Sequence, residues 1–319
     1  MERAESRIIA MSEELRDSIS LIDLFEMFPD DDTAEQWFVK SRWPDGIRCA
    51  HCDSDNVDTK AKHPTMPYFC NYCGKYFSPK TNSAMHGSKI GYQKWAIAIY
   101  LITANIKGVS SMQLHRSIGV TQKTAWYMGH RIREAYKIKS EKFSGEVEVD
   151  ETFVGGLEKN KHANKKLRAG RGTVGKVPVI GLLERGTNQV ITQVVPDTEG
   201  ETLRPIVYVN TTGNAIVYTD DAYAYRGLRR RGDAVRHGTG EYVNKHAPEV
   251  HINGIESFWS IFKRAYKGTF HKISPKHLQR YFNEFTGRHN ARSDGAEKKM
   301  VNIVRGAVGK RLRYKDLIS

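Results

Sequence analysis

All four cysteines of this 319-residue chain fall between positions 49 and 73, as Cys49-Ala-His-Cys52, then seventeen residues, then Cys70-Asn-Tyr-Cys73. Under oxidising conditions four cysteines could form two disulfides, whereas in a reducing compartment this clustering reads as a metal site. Each Cys-x2-Cys places two thiolates on a tight turn, and two such turns close a tetrahedron about one Zn2+. Four thiolates leave no open coordination position, so the expected zinc, held by Cys49, Cys52, Cys70 and Cys73, is structural. The residues after the second pair, "GKYFSPKTNSAM", add a turn glycine and aromatic cover. A fold this small is not stable on burial alone, and the ion is expected to supply much of its folding free energy.

Charge narrows the partner. Fifty Lys and Arg against 36 Asp and Glu give a net charge of +14. Such an excess favours a polyanion, because cationic groups that neutralise phosphates release condensed counterions. On charge alone, ribosome-like or membrane-surface binding stays open. No run of about 18 apolar residues predicts a membrane span. The start, "MERAESRIIAMSEELRDS", alternates charges and lacks the apolar core of a signal peptide. The expected location is the cytoplasm.

Hydrophobic periodicity predicts two short helices within 13–40, broken at Pro29, and a helix over about 88–106. Strands are expected near 146–154, 177–184, 189–195 and 215–219, with a helix at 199–209 between the last two. Helices follow at 253–266 and 275–290. The segment "SSMQLHRSIGVTQKTAWYMGHRIREA" fits a helix over 110–117, a turn at Ile118-Gly119-Val120 and a second helix from Gln122 capped by Thr121. Leu114, Ile118, Val120, Ala125, Met128 and Ile132 can pack the pair together. Gln122, Lys123, Thr124 and Tyr127 are left near the exposed start of the second helix, where a recognition helix meets base edges.

The strand "EVEVDETFVGG" (Glu146–Gly156) carries four carboxylates among its first six residues. Glu146, Glu148, Asp150 and Thr152 share one face, Val147, Val149 and Phe153 the other. Alone it reads as a polar-out antiparallel edge strand. Two further stretches point to chemistry instead. "AIVYTDDAYAY" sets Asp220 and Asp221 just after a buried strand. "HINGIESFWSIFKRAYKG" is an amphipathic helix with Ile255, Phe258, Trp259 and Phe262 inward and Asn253, Glu256, Ser260 and Lys263 on another stripe. Phosphoryl transfer through two divalent ions about 4 Å apart needs two or three converging carboxylates. Hard ions such as Mg2+ or Mn2+ select oxygen ligands. A strand Asp, an Asp at a neighbouring strand end and a Glu on a following helix meet that need.

The order of cysteine ribbon, helix pair and then "VEVDETFVGG … VYTDDAYAY … HINGIESFWSIFKRAYKGTFHKISPKHLQRYFNEFTGRHNAR" resembles the ISXO2-like insertion-sequence transposases. These are zinc-ribbon members of the DDE superfamily. The resemblance runs from "SLIDLFEMFP" to "RLRYKDLIS", nearly the whole chain. It implies an α/β ribonuclease-H-like catalytic core, a mixed sheet flanked by helices, preceded by a zinc ribbon and a helix-turn-helix. It also implies Asp150, Asp220 and Glu256 as the catalytic acids and ligands of two Mg2+ or Mn2+ ions. Some relatives are described with Asn in the third role and a downstream Lys, positions matched here by Asn253 and Lys263. Glu151 and Asp221 are read as structural neighbours of the site, and Glu146 and Glu148 as a solvated face or a support beside it. The basic loop over 157–176, including Lys165, Lys166, Arg168 and Arg171, is expected to track DNA phosphates.

The expected organisation is an N-terminal helical segment (1–45), a zinc ribbon (46–87), a helical DNA-binding region (88–140), the catalytic domain (141–292) and a basic C-terminal tail (293–319). The resemblance implies a DNA transposase that binds terminal inverted repeats, cleaves a phosphodiester at the element end and drives the 3'-OH into target DNA. Double-stranded DNA, a homodimer or larger synaptic assembly, and a prokaryotic, nucleoid-associated setting go with that reading. Two rivals share parts of the pattern. One is a non-catalytic DNA-binding regulator, the other a two-metal nuclease without strand transfer.

Overall fold

A computed structural model describes residues 19–137, 141–156, 162–167, 172–220, 223–228, 231–235 and 250–319, with backbone alone for 165 and 231–235. The chain forms two compact units, one from the described residues up to 137 together with 291–319, the other from 141 to 290.

In the first unit, Ser20 caps α1 (Leu21–Met27) in a reciprocal bond with Asp23, and Asp30 caps α2 (Asp31–Arg42). Pro29 separates the two, as its missing N–H and the restriction on its predecessor require. Three short antiparallel strands follow: β1 (Val57–Asp58), β2 (Tyr68–Cys70) and β3 (Lys75–Phe77). Their inner face gathers Cys49, Tyr68, Cys70 and Phe77 under Trp43. Helix α3 (Tyr92–Ala104) is apolar nearly all round and lies at the centre of this unit's main core. It packs beside α4 (Ser111–Ile118) and α5 (Gln122–Ala135). Ser110 and Thr121 cap those two, and Gly119 turns between them at φ 60°, a conformation that favours glycine. Leu114, Ile118, Ala125, Met128 and Ile132 are buried at their junction, with Val120 half-buried.

The second unit is a five-stranded sheet of order β6-β5-β4-β7-β8. Its strands are β4 (Glu146–Val154), β5 (Val177–Glu184), β6 (Gln189–Val194), β7 (Ile216–Asp220) and β8 (Arg231–Val235). The carboxylate-rich β4 is therefore the central strand, antiparallel to β5 and parallel to β7, and not the edge strand its alternation suggests. Helix α6 (Gly200–Asn210) covers one face, burying Leu203 and Val207 against Val147, Val149, Ile180, Leu182 and Val217. Helices α7 (Asn253–Ala265) and α8 (Leu278–Asn290) cover the other, with Phe262 stacked on Phe282 at 4.0 Å.

The chain then returns to the first unit. Helix α9 (Ala296–Gly306) buries Met300, Ile303 and Val304 in that unit's core, and α10 (Tyr314–Ile318) buries Leu317. Gly306 lets α9 approach α5 closely, since a Cβ there would sit 2.6 Å from the Ala135 carbonyl oxygen. The basic stretch after residue 293 is thus largely folded. Among the described residues, no helix is long and apolar enough to cross a membrane.

Candidate functional site

The register of the two parallel strands brings two predicted acids together. Residues 146, 147 and 148 of β4 pair with 216, 217 and 218 of β7, and Asp150 and Asp220 each follow two positions beyond the last of these pairs, near enough for the Asp220 charge to act on Asp150. Residues two apart along a strand point to the same face, so both acids lie on the face of Glu148 and Tyr218. That face is the one covered by α7, whose first turn carries Glu256. Burial pushes the Asp150 carboxyl up to about 6, reinforced by the charges of Asp220 and, more weakly, Glu256. The three acids therefore share one field.

Helix α7 is seated on β4 by two side chains. Trp259 donates its indole N–H to Asp150 Oδ2 at 3.0 Å, which opposes the upward shift of that carboxyl. The indole fits because Gly181 lies opposite Asp150 on β5: a Cβ there would come within 2.4 Å of the Trp259 ring and 2.8 Å of Ile255. Trp259, predicted simply to face the core, does so and also touches the site.

Glu148 is the second. Expected on a solvated or supporting face, it is 1% exposed. Its Oε2 accepts the Ile255 backbone N–H at 3.0 Å in the first turn of α7, and its Oε1 accepts from Arg185 Nε at 2.9 Å. His251 Nδ1 lies 3.2 Å from the same Oε1. Arg185 also donates to Glu146 at 3.2 Å and to the His251 carbonyl, and its guanidinium stacks 4.3 Å over the Tyr218 ring. Nothing in the local pattern marks Arg185, 37 residues from Glu148, as its partner.

On the other side of β4, Glu151 is pushed up to about 9 by burial and by the charges of Asp150 and Asp220. Its Oε1 is buried and makes no hydrogen bond among the described residues. Asp221 lies outside the described residues. Asn253 is exposed at the first position of α7, and Lys263 is exposed two turns beyond Glu256. In the basic loop, Lys166 is exposed and Lys165 closes a short 3-10 turn, while Arg168 and Arg171 lie outside the described residues.

In the first unit, Gln122 and Lys123 are exposed at the start of α5 and Thr124 is half-buried. Gln122 Nε2 donates to Ser111 at 2.8 Å, and Lys123 stands 4.7 Å over the Tyr314 ring. Tyr127, read as part of that exposed start, is instead tied down: its hydroxyl donates to the Leu312 carbonyl at 2.7 Å and Arg131 stacks on its ring. The Leu312 partner, 185 residues along the chain, leaves no signal at short range.

The four cysteines form a compact group with every Sγ within 4.8 Å of the others. Cys49 and Cys73 are 3.6 Å apart at sulfur, Cys52 and Cys70 3.7 Å. A tetrahedral ion with bonds of about 2.3 Å requires sulfur edges of about 3.8 Å. The backbone N–H groups of His51 and Cys73 point at Cys49 and Cys70 sulfur, 3.4 Å each. This group could hold a metal such as zinc. Among the described residues it is the one set of ligand atoms gathered that tightly, and the carboxylates of Asp150, Asp220 and Glu256 lie within electrostatic reach of one another rather than in a closed cage.

The ISXO2-like transposase domain family matches residues 142–290, nearly the whole second unit. A relative from Halobacterium salinarum, "Uncharacterized protein in transposable element ISH50", is 30% identical over 247 residues, covering 72% of this chain and 81% of the relative. An "Uncharacterized transposase-like protein" from Haemophilus influenzae is 34% identical over 107 residues, covering 32% of this chain and 81% of that protein.

Proposed function

The chain belongs to the ISXO2-like transposases, and we propose that it cuts DNA at the ends of an insertion sequence and joins the freed 3'-OH to target DNA. The observation that carries this reading is the electrostatic convergence of Asp150 and Asp220, on the neighbouring parallel strands β4 and β7, with Glu256 in the first turn of the overlying α7. The sheet order, with a central strand antiparallel to one neighbour and parallel to the other and helices on both faces, supports a ribonuclease-H-like core.

The donor set suits hard divalent cations. Three carboxylates sharing a field, one of them held up near 6 by burial and its neighbours, gain from a positive charge between them. When bound, two Mg2+ or Mn2+ ions would activate the attacking oxygen and stabilise the leaving one. Asp150, Asp220 and Glu256 would hold them, with Asn253 the alternative in the third position. Trp259 fixes the orientation of the Asp150 carboxylate, and the aromatic layer of Phe258, Trp259 and Phe262 beneath α7 excludes water from one side of the site. Lys263, exposed on the stripe of Glu256, would meet a phosphate beside the scissile bond.

The first unit supplies end recognition in this account. Gln122, Lys123 and Thr124 at the start of α5 act as a recognition surface, with α4 and α5 as a helix-turn-helix. The cysteine group holds one structural zinc. Lys165, Lys166, Arg168 and Arg171 follow the DNA backbone, and a dimer or larger assembly brings two ends together. The test supplies labelled linear DNA carrying an element end and a plasmid target, with Mg2+ or Mn2+. Joined product establishes the transposase; cleavage without joining points to a nuclease; binding without either points to a regulator.

A further inference from the structure

We propose that Glu148 is a positioning residue that sets where the Glu256-bearing turn of α7 rests on β4, so that the third ligand of the site depends on a carboxylate that is itself no ligand. This rests on the proposed role of Asp150, Asp220 and Glu256. Three observations carry it. Glu148 is buried on the same face of β4 as Asp150, two residues earlier, and its Oε2 accepts the N–H of Ile255, the residue before Glu256. Helix α7 has no side-chain cap of its own, since Ile252 stands at its N-cap, so this cross-strand carboxylate takes the part a local Ser or Asp normally plays. The turn also sits close down on it: a Cβ at Gly254 would come within 2.9 Å of Glu148 Oε2.

Glu148 is fixed in its turn. Arg185 at the end of the β5 strand and His251 just before α7 both meet its Oε1, and the Arg185 guanidinium is held flat over Tyr218 of β7. Arg185, just past β5, and His251, on the approach to α7, thus converge on one carboxylate of β4. With the Trp259 bond to Asp150 one turn further along, α7 is pinned to β4 at two points on either side of Glu256. A small displacement of a reacting or ligating group is enough to cost about a hundredfold in rate.

Glu148→Gln and Glu148→Ala in the full chain test this. Gln keeps an acceptor for the Ile255 N–H but loses the charge pairing with Arg185, whereas Ala loses both, so the effect must grow from Gln to Ala. Three readouts are taken: Mn2+ binding from the spin-resonance signal of the free ion, hydrogen exchange of the amides at 254–257, and joining kcat and KM for an element end. The expected result is Mn2+ half-saturation weakened about tenfold in Gln and more in Ala, faster exchange at Ile255, kcat reduced about a hundredfold in Ala, and unchanged KM for the end. Mn2+ affinity equal to wild type in folded Gln variant, or losses that merely follow a falling folded fraction, would overturn the proposal. If the wild-type protein joins no ends, the functional reading fails, while the Mn2+ and exchange measurements still decide the role of Glu148.

Discussion

Gly181 stands opposite Asp150 in the sheet, and the space its missing side chain leaves is filled by the indole of Trp259, which donates to that same Asp150 at 3.0 Å. One residue without a side chain thus permits the contact that orients the central acid. Gly181→Ala forces a Cβ to within 2.4 Å of the ring. Overpacking of this kind costs about 1–3 kcal/mol. The expected outcome is a lower Tm and loss of end joining with end binding retained. Trp259→Phe keeps most of the packing and removes only the donor, so it should lower joining with a smaller change in Tm. Thermal melting beside a joining assay separates the two variants.

The raised carboxyl of Asp150 predicts a pH-dependent stability. Its value in the fold is about 6 against an ordinary 3.8, so the native state holds that proton more tightly than the unfolded chain does. The stability linked to the proton is fully present below 3.8 and is lost as pH rises through about 6. Asp150→Asn carries no such loss. With no divalent cation added, it should be more stable than wild type by about 3 kcal/mol at pH 8. The difference should vanish below about pH 4. Denaturant melts at the two pH values check both size and sign.

Removing the metal from the cysteine group should unfold the ribbon. Its inner face holds few apolar groups besides Tyr68, Phe77 and Trp43, and structural zinc contributes about 10–16 kcal/mol in small folds of this kind. A folded preparation should release one zinc per chain on thiol modification. Cys70→Ser should abolish end binding, whereas a variant that binds ends normally without metal would show the ribbon to be self-sufficient.

At the start of α5, Lys123 and Gln122 should behave differently. Lys123→Ala is expected to weaken end binding for any sequence and to reduce the salt slope by about 1. Gln122→Ala should cost about 1–3 kcal/mol on the element end and much less on unrelated DNA. Binding isotherms at several salt concentrations on both DNAs give both numbers.

The sequence made the elements that bear the site legible, because β-branched runs and an apolar helical stripe are local signals. Val147 and Val149 mark β4, and Ile255, Phe258, Trp259 and Phe262 mark α7. The pairing of β4 with β7 was not legible, and with it the central place of a strand whose acids imitate a solvated edge. Glu148 looked polar-out because its cover comes from Arg185, His251 and the start of α7, all distant in the chain. The β8 strand, Arg-Gly-Asp-Ala-Val, carries no alternation to read. Helix α9 did carry one, Met300 with Ile303 and Val304, but the lysines and arginines around it suggested a tail.

The most direct test of the central claim is to locate Mn2+ by its anomalous scattering in crystals of the full chain bound to an element end. The account predicts Mn2+ held between Asp150 and Asp220, with Glu256 completing the set and no such density in Asp150→Asn crystals. Mn2+ bound away from these carboxylates, or joining that survives in the Asp150→Asn protein, would contradict it.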